Sequence, residues 1–170
     1  RSVLAGSGND STILSGTSMA APHIAGAAAL MKQVHPDWTV EDIKAALMNT
    51  SAQTVDVSGN AYPESLTGAG RVRINLAAST QITAAADDSS GLVSLSFGDL
   101  QLTNIFHMER LVRIKNHGSN DITLVMSISN IVSQAGFTLA PATNQVTVPA
   151  HSSVIVPFDV TANPNLFDLS

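Results

Sequence analysis

The sequence predicts two structural segments in tandem: a mixed α/β segment over residues 1–78 and an all-β sandwich over residues 92–170, joined by a linker at 79–91. Three observations predict this. A Gly-Thr-Ser turn at 16–18 opens into small apolar residues that run on to Val34, a turn feeding a long helix. After Ala78 the texture changes to a polar stretch containing Asp87-Asp88-Ser89-Ser90-Gly91. Beyond it, short runs alternating apolar and polar residues recur at regular spacing between turn signals, the pattern of a β-sandwich.

Taken in order, Ser2-Val3-Leu4-Ala5 has strand character, Gly6 to Ser11 reads as a loop, and Thr12-Ile13-Leu14 leads to the Gly-Thr-Ser turn. Asn9, in that loop, reads as a turn residue. The helix from Ser18 to Val34 carries Met19, Ala20, Ala21, Ile24, Ala25, Ala27, Leu30 and Met31 on all its sides, so it is expected to be buried in a larger protein. Pro22 falls in its first turn or just past it, where a missing N–H does least damage. Gly26 is expected to mark a close helix crossing. His35-Pro36 ends the helix. Thr39-Val40-Glu41-Asp42 then reads as an N-cap with an acidic first turn, opening a second helix with Val40, Ile43, Ala46 and Leu47 on one face. Ser51 to Ser65 is a polar loop, and Gly68-Ala69-Gly70 leads to a short helix ending near Ala78. Arg71 and Arg73 alternate with Val72 and Ile74 and are expected on a solvated face.

In the second segment, strands are expected at Leu92–Phe97, Leu111–Lys115, Ile122–Ile128, Phe137–Leu139, Gln145–Val148 and Val154–Val160. Ala162 to Ser170 trails off, so the sandwich is expected to be truncated at its C-terminal edge. His107, His117 and His151 show no metal-ligand spacing and read as surface or turn residues. Arg110, Arg113 and Lys115 read as one wet strand face.

Composition narrows the function classes. With 44% hydrophobic and 12% charged residues among 170, the chain is not a disordered segment. Aromatics are only 4%, so the core must be built from Ala, Val, Ile and Leu. A formal charge of −5 without a long basic run argues against a nucleic-acid partner. There is no cysteine, hence no disulfide or thiolate metal site. Pro22, His23 and Lys32 interrupt the longest apolar run, and no transmembrane segment is expected. The chain starts at Arg1 without a methionine and reads as a piece of something longer.

Chemistry concentrates at Ser18. A serine at the first position of a helix has an exposed hydroxyl beside backbone N–H groups that lack intrahelical partners. Those donors and the positive end of the helix dipole suit an oxyanion formed when a carbonyl is attacked. Ser18 is therefore a nucleophile candidate. His23, five residues on, points in a different direction from Ser18 on a helix and is taken as structural.

The unbroken run Gly16-Thr17-Ser18-Met19-Ala20-Ala21-Pro22-His23-Ile24-Ala25-Gly26 closely resembles the nucleophile segment of the subtilisin-like serine peptidases, and Gly68 to Ala78 resembles the end of that family's catalytic domain. The resemblance implies that residues 1–78 are the C-terminal helices of a subtilisin-like parallel-sheet domain. It also implies that Ser18 is the catalytic serine, supported by Gly16, Thr17, Met19, Ala20 and Pro22, with its own N–H as one oxyanion donor. The family's aspartate and histidine lie upstream in Asp-Ser/Thr-Gly and His-Gly-Thr motifs, neither of which occurs here, and its oxyanion asparagine also comes from far upstream rather than from Asn9. The isolated chain is accordingly expected to be inactive, acting on a protein or peptide substrate only within its parent. Either the rest of the catalytic domain or self-association should cover the Ser18 helix. No cofactor is implied, though calcium is compatible with the parent, and the location implied is extracellular or at the cell envelope. Asn116-His117-Gly118-Ser119-Asn120 and Val148-Pro149-Ala150-His151-Ser152-Ser153 resemble the fibronectin-III-like domains that follow the catalytic domain in large cell-envelope subtilases. An alternative stays open: a non-catalytic spacer or binding module, or a pseudo-peptidase piece.

Overall fold

The computed structural model describes residues 2–97, 101–129 and 134–167. Two short antiparallel strands, β1 (Ser2–Val3) and β2 (Ser11–Thr12), precede helix α1 (Thr17–Val34). Helices α2 (Val40–Asn49), α3 (Glu64–Thr67) and α4 (Ile74–Ser79) follow. Six strands come next: β3 (Ile82–Ala86), β4 (Phe106–Asn116), β5 (Ile122–Val125), β6 (Phe137–Pro141), β7 (Gln145–Val148) and β8 (Ser153–Ala162). They form an antiparallel sheet in the order β3-β4-β8-β6 and an antiparallel pair β5-β7. No parallel strand pair occurs among the described residues.

The helix boundaries follow from local chemistry. Thr39 caps α2: its hydroxyl accepts from the Asp42 N–H at 3.1 Å, and its own N–H donates to the Asp42 carboxylate at 3.0 Å, a reciprocal capping box. At the end of α1, Lys32 Nζ donates to the carbonyl of Trp38 at 2.9 Å and turns the chain toward α2. The helices share one apolar cluster, with Ala27 and Met31 of α1, Trp38, Ile43, Ala46 and Leu47, and Ala77 of α4. Val40, expected on the buried face of α2, is 76% exposed, because it sits at the first helical residue before the face has turned inward. A short helix, α3, takes up the last two residues of the polar loop expected from Ser51 to Ser65 and runs on to Thr67. Gly70 closes this region: Ala52 and Arg71 exchange two backbone hydrogen bonds at 2.8 Å, and a Cβ on Gly70 would lie 2.2 Å from the Ala52 carbonyl oxygen. With φ at +102° as well, that position accepts glycine alone. Arg73 does more than face solvent, since its guanidinium donates to the carbonyls of Thr50 and Ser51 just past α2.

Strand β3 falls inside the stretch read as a linker. It pairs with β4 from Ile82↔Asn116 to Ala86↔Val112, and it is covered on both faces. Ile82 and Ala84 pack toward Ile114, Val148 and Val156, in the cluster that also takes in Leu124 and Val146 and so joins the sheet to the β5-β7 pair. Thr83 and Ala85 face α2. A strand buried on both sides has no apolar–polar alternation to betray it, and its alanines let the helix approach closely. The converse holds for Leu92–Phe97, which alternates but forms no strand. No described strand pairs with it, and the Phe97 ring meets that of Phe137 edge-on at 6.3 Å. The expected strand at Ile122–Ile128 is shorter, ending at Val125, and those at 111–115, 137–139 and 154–160 are longer, while β7 keeps the expected bounds.

The helical and β segments meet along α2. Lys115 Nζ pairs with the Asp42 carboxylate at 2.9 Å and Asn49 accepts from the Ala84 N–H at 2.8 Å, while Arg113 lines a cleft with Thr39, Glu41 and Asp42 and pairs with Asp87 within the β segment. Arg113 and Lys115 thus face the helical segment, while Arg110, one residue out of phase with them, lies on the opposite face of β4; the three are not one wet face. His117 also departs from its expected surface position. Its side chain is 11% exposed and packs against Trp38, with ring centroids 4.2 Å apart and the planes tilted by 30°. His107 and His151 are exposed, as expected.

Candidate active site

The turn before α1 depends on Gly16. Its φ of 137° and ψ of 170° lie in a region that is essentially glycine-only. From this conformation its carbonyl accepts from the N–H groups of both Met19 (3.0 Å) and Ala20 (3.1 Å), which starts the helix. Ser18 is then the second helical residue, exposed, and its N–H is among the first-turn donors ahead of the helical ladder. Gly16→Ala is expected to cost about 1–3 kcal/mol at the turn or to swing Ser18 out of place. Thermal unfolding together with kcat of the full-length protein reads this; an unchanged kcat and midpoint would mean that the turn does not position Ser18.

Pro22 is the sixth residue of α1 and has no N–H to give to the Ser18 carbonyl four residues earlier. Met19 is half-buried, and Thr17 and Ala20 are exposed around the serine. Ser18, Met19 and Pro22 border a cavity of about 340 Å³ whose other wall is formed by Val3, Leu4 and Leu14. His23 also lines it, but its Nδ1–H donates to the Met19 carbonyl on its own helix. Among the described residues no histidine is hydrogen-bonded to Ser18. Asn9 lies in the turn between β1 and β2, its N–H on the Ser7 carbonyl.

The flank of α1 is open. Only Ala27 and Met31 are buried, whereas Ile24 is 44%, Leu30 51% and Val34 55% exposed. Nothing lies within 4 Å of where a Cβ on Gly26 would be, so the close crossing expected there has no partner among the described residues. No group of three or more His, Asp or Glu among them could hold a metal ion, and no helix is long and apolar enough to cross a membrane.

Residues 7–70, which contain the turn, Ser18 and the Gly68–Gly70 closure, match the model of the subtilase family. The chain is similar to the minor extracellular protease Vpr of Bacillus subtilis (strain 168), 36% identical over 140 residues. That similarity covers 81% of this chain and 16% of Vpr, and so necessarily takes in β3, β4 and β5. It is also similar to two subtilisin-like proteases of Arabidopsis thaliana. One is SBT4.14, 47% identical over 79 residues (46% of this chain, 10% of that protein), and the other SBT1.9, 64% identical over 44 residues (26% and 6%). The chain therefore spans about a sixth or less of the length of these relatives.

Proposed function

We propose that this chain is the nucleophile-bearing part of a secreted or cell-envelope subtilisin-like serine endopeptidase. One observation carries the reading: the Gly16–Gly26 run, within the subtilase match, sets an exposed serine at the start of α1. In the complete enzyme Ser18 Oγ attacks the scissile carbonyl carbon and gives its proton to a histidine supplied by the upstream polypeptide, itself oriented by an upstream aspartate. The carbonyl oxygen becomes an oxyanion, and the Ser18 N–H at the positive end of α1 donates to it. Collapse of the tetrahedral intermediate breaks the C–N bond, and the protonated amine leaves. Water then attacks the acyl-enzyme ester, releasing the acid and restoring the Ser18 hydroxyl.

The open flank of α1 supports the second part of the reading. Ile24, Leu30 and Val34 stay exposed beside the narrow Ala27–Met31 stripe by which the helix packs, Ala25, Gly26 and Ala29 on its far side are exposed as well, and the upstream part of the catalytic domain is the occupant that both covers this helix and brings the base to Ser18. The antiparallel segment from β3 onward is read as a fibronectin-III-like domain, which the facing β5-β7 pair and four-stranded sheet favour.

The test is pre-steady-state hydrolysis of an activated ester by the full-length protein. A burst approaching one leaving group per chain is expected, because acylation precedes a slower deacylation. No hydrolysis of ester or unfolded protein would favour the non-catalytic spacer or pseudo-peptidase.

A further inference from the structure

We propose that the seam between α2 and the β3–β4 edge is an acid-labile latch, in which a neutral His117 clasped by Trp38, Thr83 and Asp42 holds the β segment against the helical segment and protonation releases it. The geometry is a stack across the seam. His35, capping α1, stacks on Trp38 with centroids 3.9 Å apart and planes 9° apart, and Trp38 in turn meets His117 at the end of β4 at 4.2 Å. His35 Nε2–H donates to the Ala78 carbonyl, which ties the stack to the end of α4. His117 is fixed from the β side too: its N–H donates to the Gln81 carbonyl at 2.8 Å, and Nε2 lies 3.0 Å from Thr83 Oγ1. The same ring therefore touches α2's leading loop, β3 and β4 at once, where the chain passes from one segment to the other.

A positive charge is poorly placed there. The nearest carboxylate oxygen, Asp42 Oδ1, is 3.7 Å from Nε2, but Asp42 is already engaged by Lys115 at 2.9 Å and by the Thr39 hydroxyl at 2.8 Å. The Lys115 ammonium on β4 and the His35 ring on α1 oppose a second cation, while Asp37 and His151 border the adjoining cleft of about 420 Å³. Burial pushes the His117 imidazole below its ordinary 6.5, an effect that the Asp42 charge offsets only in part and that Lys115 and His35 reinforce. Asp42 keeps its charge throughout this range. Burial raises its carboxyl, but the Lys115 and Thr39 hydrogen bonds outweigh this and hold it below 3.8.

The sign follows. An undocked His117 takes a proton near 6.5 and the docked one does so only at lower pH, so docking is complete above about 6.5 and weakens as pH falls below it. One proton makes the open-to-docked ratio rise by at most about tenfold per pH unit.

The test is amide hydrogen exchange of the full-length protein between pH 7.5 and 5.0, corrected for intrinsic exchange. Protection of the Ala84 N–H, which bonds across the seam to Asn49, is expected to fall as pH drops below 6.5, by at most about tenfold per unit, while the β4–β8 ladder stays protected. In His117→Phe, which keeps a ring on Trp38 but cannot titrate, protection should not change with pH. Equal pH dependence in wild type and His117→Phe, or none in wild type, overturns the proposal. Should the variant fail to fold, titration of the labelled His117 ring in the wild type decides: a midpoint below 6.5 supports the latch, and one above it means that protonation tightens the seam.

Discussion

Ser18→Ala in the full-length protein is expected to lower kcat by about 10⁵–10⁶-fold, the scale known for loss of the nucleophile in subtilisin itself, with KM little changed. The size follows from the chemistry proposed for the site. Without Oγ no acyl-enzyme forms, and only the oxyanion donor and substrate binding remain to assist attack by water. Stability should hardly move, because Ser18 is exposed and alanine is the better helix former at that position. The paired readouts matter: a lost kcat with an unchanged unfolding midpoint marks a nucleophile, whereas a comparable fall in both would make Ser18 part of the scaffold. A variant that keeps more than about 1% of the wild-type kcat would place the nucleophile elsewhere.

The largest effect on stability is expected at Trp38. The indole is 8% exposed, lies in the helical core cluster with Met31 and Leu47, and is flanked by the rings of His35 and His117. Trp38→Ala removes a large buried side chain and two ring stacks together, and should cost about 3–5 kcal/mol. Because the indole belongs to both the helical core and the seam, the loss should show in hydrogen exchange of α2 amides and of the His117 N–H alike. Trp38→Phe, which keeps an aromatic face at reduced area, should recover part of it. A cost below about 1 kcal/mol would mean that the core closes over the site and that the stack does not hold the segments together.

Much of the fold was legible because single-segment chemistry decides it. The Gly-Thr-Ser turn, the apolar run of α1, the stop at His35-Pro36 and the Thr39–Asp42 cap each carry their signal within a few residues, and all four stand in the structure. Most strands after β3 were legible for the same reason, since alternation marks a sheet with one covered face. What failed depended on partners distant in sequence. Ile82–Ala86 has no alternation because α2 covers one face and the β5-β7 pair lies beyond the other. Leu92–Phe97 has alternation but pairs with no strand among the described residues. In Asn116-His117-Gly118 the local signal is a turn, and only the docking of β4 beside Trp38 turns an apparent surface histidine into a largely covered one. At the candidate site, the sequence singled out the serine and the turn that presents it, and it set aside His23, whose Nδ1 is committed to the Met19 carbonyl. The open flank at Ile24 and Leu30 was foreshadowed by the all-round apolar character of α1, but which side stays open depends on how α2 and α4 pack.

Ser18 as the nucleophile with an upstream base is tested by treating the full-length protein and the isolated 170-residue chain with a fluorophosphonate, which phosphonylates activated serines, and mapping the adduct by mass spectrometry. The predicted result is one adduct, on Ser18, in the full-length protein and none in the isolated chain, because the proposed base comes from upstream. An adduct on a different serine, or none in a full-length protein that still cleaves peptides, would contradict the assignment of Ser18. Labelling of Ser18 in the isolated chain would contradict the upstream base and return His23 to consideration.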